Sequence, residues 1–270
     1  MSHGIVRAGI QSVEVGFALL EVLAQAPGPI MLRDLAAAAN MSAAKAHRYL
    51  VSFQRLGLVV QDAATTRYDL GPAALRLGLA SLSRLDAVKL ARERVAQLIA
   101  QIGHTLALAV WGNHGPTIVH WEESPQAITV NLRLGDVMPL MSSATGRCFA
   151  AHRPYESVAR LLERELTQAK LLAQRNPPRH ATATDLPTTR AQADALFSEV
   201  RSRGAARVID TLLPGVVGFC VPVFDADGHM VLGLVALGSA ATFDAQWDGA
   251  VHGPLAVAAQ QLSADLGHVL

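Results

Sequence analysis

Apolar residues recur at helical spacing through the first 55 residues of the chain. This spacing predicts three helices, over residues 12–26, 32–39 and 42–55. Ser12 and Ser42 stand where they can cap the first and the third helix, and Gly57 follows the third as a stop signal. Two short runs, residues 58–61 and 67–70, then flank a polar turn and predict a hairpin. Three helices followed by a hairpin is the order of a winged helix-turn-helix.

The pattern remains mostly helical over residues 73–102, which we interpret as linker helices, and then changes towards strands. Strands are predicted at residues 105–111, 117–121, 128–134, 215–224 and 229–238. Helices are predicted at residues 145–151, 155–168, 189–203 and from Phe243 onward. Three prolines in residues 172–188 predict a mobile surface loop. The fold class is therefore α+β, with a winged helix followed by an antiparallel sheet that helices cover.

Composition narrows the class of protein. The 270 residues are 51% hydrophobic and 17% charged, enough apolar material to bury cores. No apolar run approaches the roughly 20 residues that span a bilayer, and the first residues lack the apolar core of a signal peptide, so we expect a cytoplasmic protein. The two cysteines, Cys148 and Cys220, exclude a disulfide framework. With 23 basic and 22 acidic residues, net charge indicates no partner.

An enzyme is the competing class, and its usual motifs are missing from the sequence. There is no HExxH metal motif, GxSxG elbow, phosphate-binding loop or GxGxxG fingerprint. His114 and His120 lack a matching set of carboxylates. We therefore expect no catalytic residues, no metal site and no cofactor.

Three short segments carry a family resemblance: Ala46-His47-Arg48, Tyr68-Asp69-Leu70-Gly71 and Val223-Phe224-Asp225. Together with their spacing over almost the whole chain, they resemble the IclR-type bacterial transcriptional regulators. The resemblance implies a DNA-binding winged helix at residues 8–72, linker helices at 73–102 and a GAF/PAS-like effector-binding domain at 103–270. It also implies assembly as homodimers or homotetramers.

The third predicted helix is the recognition helix of this scheme, because its solvent face would enter the major groove. Its candidate contacts to double-stranded DNA are Ser42, Ala44, Lys45 and Arg48. His47 fits either a phosphate contact or half-buried packing. Arg67, after the wing turn, fits either a contact to the minor groove or the DNA backbone or a cross-strand pair with an acid such as Asp62.

The start of the first helix offers Gln11 and Ser12 to a phosphate, although capping also explains Ser12. Residues 1–80 hold seven basic and five acidic residues, so the module is only +2. Tight binding then needs at least two modules and predicts a palindromic operator. The apolar stripe from Leu85 to Ile102 fits either a dimer surface or packing on its own domain.

Small residues from Ser142 to Gly146 stand at a predicted helix start, where free amides can meet a ligand oxygen. The resemblance implies effector contacts, with sheet core as the alternative for the apolar members, at Val130, Leu132, Ala144, Thr145, Asp210, Cys220, Val235 and Leu237. Cys220 also fits a small buried apolar residue. Val235 and Leu237 stand where family members are frequently polar, which favours an aromatic or largely apolar ligand.

These observations predict a ligand-responsive regulator, a repressor or an activator, of a catabolic operon. Its partners would be duplex DNA, a small-molecule effector and further copies of itself, without a membrane. The alternative is a GAF-like small-molecule-binding or scaffold protein whose winged helix binds protein rather than DNA.

Overall fold

The computed structural model describes residues 9–82, 86–124, 132–175 and 186–269. Its contacts form two compact units, divided between residues 85 and 86. The elements of the first unit are α1 (Gln11–Gln25), α2 (Leu32–Ala38), α3 (Ala43–Arg55), β1 (Val59–Gln61), β2 (Tyr68–Leu70) and α4 (Pro72–Leu82). The three helices and the antiparallel hairpin confirm the predicted winged helix-turn-helix.

The first unit has one small core, in which Leu19 of α1, Leu35 of α2 and Leu50 of α3 are fully buried. Tyr68 joins this core from β2 and also forms a bridge with Ile30, which ties the hairpin to the segment before α2. These contacts fix the angle between α2 and α3 and leave the opposite side of α3 free for other partners.

Of the two predicted helix caps, the one at Ser42 is confirmed and the one at Ser12 is wrong. Ser42 caps α3, since its hydroxyl accepts a hydrogen bond from the Lys45 amide at 3.3 Å. The prediction for Ser12 is wrong, because α1 begins one residue earlier and Ile10 occupies its N-cap without a side-chain bond. Gly57 has a φ of +70°, a left-handed conformation that ends α3 as predicted.

The second unit is built on one five-stranded antiparallel sheet with strand order β4-β3-β7-β6-β5. Its strands are β3 (Thr105–Gly112), β4 (Gly115–Glu122), β5 (Ala206–Ile209), β6 (Val216–Phe224) and β7 (Met230–Ser239). Its helices are α5 (Ala87–Ile102), α6 (Ala144–His152), α7 (Tyr155–Arg175), α8 (Arg190–Arg203) and α9 (His252–Asp265). Helices α6, α7 and α8 cover one face, whereas α5 and α9 cover the other.

Helix α5 turns its apolar stripe inward. Val95, Leu98 and Ile102 are buried against the sheet and α9. Of the two roles predicted for the stripe, packing on its own domain is the one that the described residues 87–102 adopt. By their contacts, α4 belongs to the first unit and α5 to the second. The predicted bounds of the linker, residues 73 and 102, stay predictions.

Four local predictions need correction. The short edge strand β5 was not predicted, because four residues carry too little alternation. Residues 132–134 are irregular and lead into a turn instead of forming a strand, and residues 128–131 of that predicted segment lie outside the described part. Helix α7 continues to residue 175, into the predicted loop, whose residues 176–185 are also outside. Helix α9 begins at His252 instead of Phe243, because the Asp244 carboxylate accepts the Gln246 and Ala250 amides and folds that segment into a loop.

Among the described residues, no helix is long and apolar enough to cross a bilayer. Cys148 and Cys220 are free thiols that lie buried between α6 and β6. Burial and the neighbouring Cys220 thiol raise the pKa of Cys148, so this group stays protonated.

Gly146 allows α6 to begin against the preceding segment. A β-carbon on it would overlap the Pro139 carbonyl oxygen and the Leu140 backbone. We expect Gly146→Ala to lower the free energy of unfolding by about 3 kcal/mol or more, measured by urea denaturation. Gly253→Ala is the matched control in α9, because its β-carbon would lie 3.7 Å from the nearest atom. That control should stay within about 1 kcal/mol of the wild type, and equal losses in both variants would contradict the close contact.

Candidate DNA-binding surface and ligand cavity

Helix α3 presents a continuous polar face. Ala46 and Leu50 are fully buried, which fixes the rotation of the helix. The predicted contacts on α3 and its cap are all exposed, namely Ser42, Ala44, Lys45, His47 and Arg48. Of the two interpretations of His47, half-buried packing is therefore wrong. The structure brings these residues together on one surface.

The cations of this face are free to meet another molecule. Within the described residues, neither Lys45 nor Arg48 has an acidic side chain within 4.0 Å. The cap also fixes the start of α3, since the Ser42 hydroxyl accepts the Lys45 amide. An exposed helix with unpaired cations can contact base edges and phosphates.

The remaining predicted DNA contacts lie at other places in the first unit. Gln11 and Ser12 are exposed in the first turn of α1. Arg67 is exposed, and its guanidinium donates to the Pro29 carbonyl at 3.0 Å. The predicted ion pair between Arg67 and Asp62 is absent. Instead, the Thr65 amide and hydroxyl, with the Ala64 amide, donate to the Asp62 carboxylate and lower its pKa.

In the second unit, hydrogen bonds of two side chains, Ser143 and Glu165, hold the start of α6 and the segment before it. The Ser143 hydroxyl accepts the Gly146 amide at 2.8 Å and donates to the Pro139 carbonyl at 2.7 Å. Glu165 of α7 accepts the amides of Leu140 and Met141 at 2.8 and 3.0 Å. Burial raises the pKa of Glu165, although these two amides oppose the shift. The sequence pattern missed Glu165 because a single carboxylate on an amphipathic helix resembles any other solvated charge.

A small cavity of about 50 Å³ lies between α6 and the sheet. It contains five of the predicted effector contacts: Leu132, Ala144, Thr145, Val235 and Leu237. Its other walls are mainly apolar and come from Ala107, Ile118, Trp121, Met138, Ser143, Val208, Leu212, Leu213, Val216 and Gly218. The cavity is therefore lined almost throughout by hydrocarbon.

The polar end of the cavity is the first turn of α6. Within the described residues, no acceptor meets the amides of Ala144 and Thr145. The Thr145 hydroxyl also has no hydrogen-bond partner there, and its oxygen is not one of the fully buried unpartnered atoms, so it keeps some accessible surface. Amides at a helix N-terminus carry partial positive charge, so this turn can bind a ligand oxygen.

Two predicted effector contacts lie elsewhere, and a third is not among the described residues. Asp210 is exposed outside the cavity lining, and its carboxylate accepts the Gly215 amide at 2.6 Å. Cys220 is fully buried deeper in the same core and does not line the cavity. Val130 lies outside the described residues.

The loop that Asp210 closes supplies wall residues that the sequence pattern did not reveal. Asp210 has a φ of +55°, and its bond to Gly215 holds residues 210–215 as a compact turn. Leu212 and Leu213 of this turn line the cavity. The isolated acidic residue therefore positions two leucines over the cavity.

One further group of potential metal ligands is exposed in the β6–β7 turn. Ligand atoms of Asp225, Asp227 and His229 lie within 4.8 Å of one another. The Asp225 carboxylate accepts the Asp227 and His229 amides at 3.0 and 2.9 Å. These bonds account for the carboxylate as part of a tight turn.

Both units match models of one protein family. The model described as "Bacterial transcriptional regulator IclR C-terminal" matches residues 79–264, and the one described as "IclR helix-turn-helix domain" matches residues 12–63. The chain therefore belongs to the IclR family of DNA-binding bacterial transcriptional regulators. These families and the curated relatives are regulators and not enzymes.

Individual relatives cover most of the chain. The glycerol operon regulatory protein of Streptomyces griseus is 30% identical over 84% of each chain. The transcriptional repressor IclR of Escherichia coli is 26% identical over 72% of each chain. Among solved structures, HmgR of Pseudomonas aeruginosa is 37% identical, with a TM-score of 0.84 over 96% of this chain and 99% of that one.

The bonds of Glu165 yield a stability prediction for this site. Glu165→Ala removes the acceptor of two amides and should lower the free energy of unfolding by about 2 kcal/mol or more. Glu165→Gln keeps one acceptor and should lose less. Urea denaturation measures both, with Glu163→Ala, an exposed carboxylate on the same helix, as the control. Losses that are equal for the Glu163 and Glu165 variants would show that the two amides do not need this carboxylate.

Proposed function

We propose that the chain is a ligand-responsive regulator of a catabolic operon, acting in the cytoplasm. In this proposal, an effector bound in the cavity changes the relative placement of winged helices in an oligomer, and thereby the affinity for an operator. The observation that carries it is the start of helix α6, whose Ala144 and Thr145 amides have no acceptor among the described residues, at an otherwise apolar cavity. Backbone amides at a helix start are suited to bind a ligand oxygen.

On the DNA side, we assign base contacts to Lys45 and Arg48. Both are exposed on the first two turns of α3, the part of a recognition helix that reaches base edges. Ser42, Ala44 and His47 flank them, and Gln11, Ser12 and Arg67 are assigned to the DNA backbone. Arg67 can still reach a phosphate with its remaining donors, since only one bond holds its guanidinium to Pro29.

The operator is proposed to be palindromic, with a homodimer or homotetramer bound to it. A module of charge +2 neutralises too few phosphates to bind tightly alone. Helix α4 supports self-association, because Leu75, Leu77 and Leu79 are each more than half exposed. Burying such leucines between copies would remove this apolar surface from water.

The effector is proposed to be aromatic or largely apolar, with one oxygen acceptor that meets the Ala144 and Thr145 amides. The hydrocarbon walls disfavour a second charged group, which would lose its hydration without a partner. Pockets for drug-sized ligands usually measure about 300–1,000 Å³, well above the cavity described here. Binding would therefore move the walls apart, and the leucines of the 210–215 turn are the proposed mobile part.

Control of an operon is supported by the names of relatives. They include two glycerol operon regulatory proteins and an acetate operon repressor. Those names refer to a glycerol operon and an acetate operon, and this chain is proposed to control a catabolic operon with its own effector.

Changes to α3 test the DNA assignment. Lys45→Ala and Arg48→Ala should each weaken binding to a selected duplex by about 10- to 100-fold, because each removes a base or phosphate contact. Fluorescence anisotropy at fixed salt measures this, on duplexes selected from random DNA by the full-length wild type.

The matched control is Arg55→Ala, the same charge at the other end of the same helix. It should cost much less affinity. Equal losses in all three variants would indicate bulk electrostatics instead of a recognition face. A folded wild type with no preference for any duplex over competitor would instead favour a winged helix that binds protein.

A panel of small molecules tests the effector class. Benzoate and phenylacetate should raise the melting temperature of the full chain, whereas succinate should not. Thr145→Val keeps the shape but removes the hydroxyl, and should weaken binding of the aromatic acids by about tenfold. A larger shift with succinate than with any aromatic acid, or unchanged affinity in the variant by calorimetry, would contradict the assignment.

A further inference from the structure

A second cavity in the same unit is rich in arginine. It has a volume of about 260 Å³ and lies at the edge strand β5. Arg147 of α6, Arg203 of α8 and Arg207 of β5 line it. Glu199 is the one acidic residue among the described lining residues, so the formal charge of the lining is +2.

The free edge of β5 faces this cavity. The Asp210 amide donates to the Val216 carbonyl, so by alternation Val208 and Ala206 form the hydrogen-bonded pairs with β6. The backbone amides and carbonyls of Arg207 and Ile209 therefore point away from β6, towards the unpaired edge of the sheet. Both carbonyls are already covered, because the Arg147 guanidinium donates to the Arg207 carbonyl at 3.2 Å and the Thr211 hydroxyl donates to the Ile209 carbonyl at 3.0 Å. A charged side chain bonded to the edge strand in this way prevents a further strand from pairing with β5.

Arg147 is buried without a carboxylate of its own. It is only 9% exposed, and within the described residues no acidic side chain lies within 4.0 Å of it. Its Nε donates to the Met141 carbonyl at 2.6 Å. Burial lowers its pKa to about 10, although the charge of Glu199 opposes the shift, so the group remains cationic at neutral pH. A buried charge without a counter-ion is costly, and an anion in the cavity would offset that cost.

The other two arginines are held in place by Trp247. Their guanidinium groups lie 4.7 Å from the ring centroid. Arg207 also donates to the Ala245 carbonyl at 2.6 Å, and Arg203 donates to Glu199 at 3.1 Å. Each arginine keeps further N–H donors beyond these bonds. Guanidinium groups ordered in advance lose little entropy on binding an oxyanion.

We propose that this cavity is a second small-molecule site, which binds a phosphate group through Arg147, Arg203 and Arg207. Two features favour phosphate over a single carboxylate. Three forked donors line one cavity, and a dianion matches the +2 charge of the lining. The volume is sufficient for inorganic phosphate or a small phosphomonoester. The site is distinct from the apolar cavity and goes beyond the function proposed above.

The two sites share parts of the fold. Val208 of β5 lines both cavities. Arg147 stands two residues after Thr145 on α6. Phosphate binding would thus bear on the same helix whose first turn meets the effector.

Calorimetric titration of the full chain with inorganic phosphate, against chloride at equal ionic strength, tests the site. Arg203→Gln should weaken phosphate binding about tenfold or more, because it removes a charged donor. Glu199→Gln should strengthen binding, because it removes the competing carboxylate. Methyl phosphate in place of phosphate distinguishes a monoester from the free ion, and tighter binding of either one supports the site.

Helix α8 supplies matched controls. Arg190 and Asp194 form the same type of i,i+4 pair as Glu199 and Arg203, but outside the cavity lining. Arg190→Gln and Asp194→Asn should leave phosphate affinity unchanged. The proposal fails if wild-type binding of phosphate does not exceed that of chloride, or if Arg190→Gln and Arg203→Gln have equal effects. Acetate binding as tightly as phosphate would overturn the choice of phosphate.

Discussion

The missing side chain at Gly146 is the constraint on which the ligand-binding half of this structure depends. It allows α6 to begin directly against the Pro139 carbonyl, where Ser143 and Glu165 fix the preceding turn. The first two residues of α6 consequently line the apolar cavity, and their amides have no acceptor among the described residues. Two residues after Thr145, the same helix places Arg147 against the Arg207 carbonyl on the edge strand β5. One close approach of backbone to backbone thus positions the polar ends of both cavities.

The DNA-binding unit depends on a simpler arrangement. A core of few residues rotates α3 so that its apolar side is buried and its cations are exposed. The low charge of this unit makes affinity depend on the number of copies that bind together. A ligand that changes how copies are arranged can therefore change operator binding without touching α3, which is the physical basis for regulation at a distance.

Patterns that repeat over many residues could be predicted from the sequence. The periodicity of α3 and the alternation in β6 and β7 were long enough to identify the winged helix and the sheet. Features that depend on one side chain and a distant partner were not predictable. Asp210 was expected to touch a ligand, but it closes its own turn, and Glu165 gave no signal although it binds two amides 24 and 25 residues away. Ser12 had the right residue type for a cap, but the helix begins before it.

Amide hydrogen exchange in the full chain, resolved by residue, tests the central claim about α6 most directly. The account predicts strong protection at Leu140, Met141, Gly146 and Arg147, whose amides are bonded, and much faster exchange at Ala144 and Thr145. A ligand that binds the apolar cavity should then slow exchange at those two amides. Protection of Ala144 and Thr145 equal to that of Gly146 in the free protein would contradict it, because their amides would already have partners.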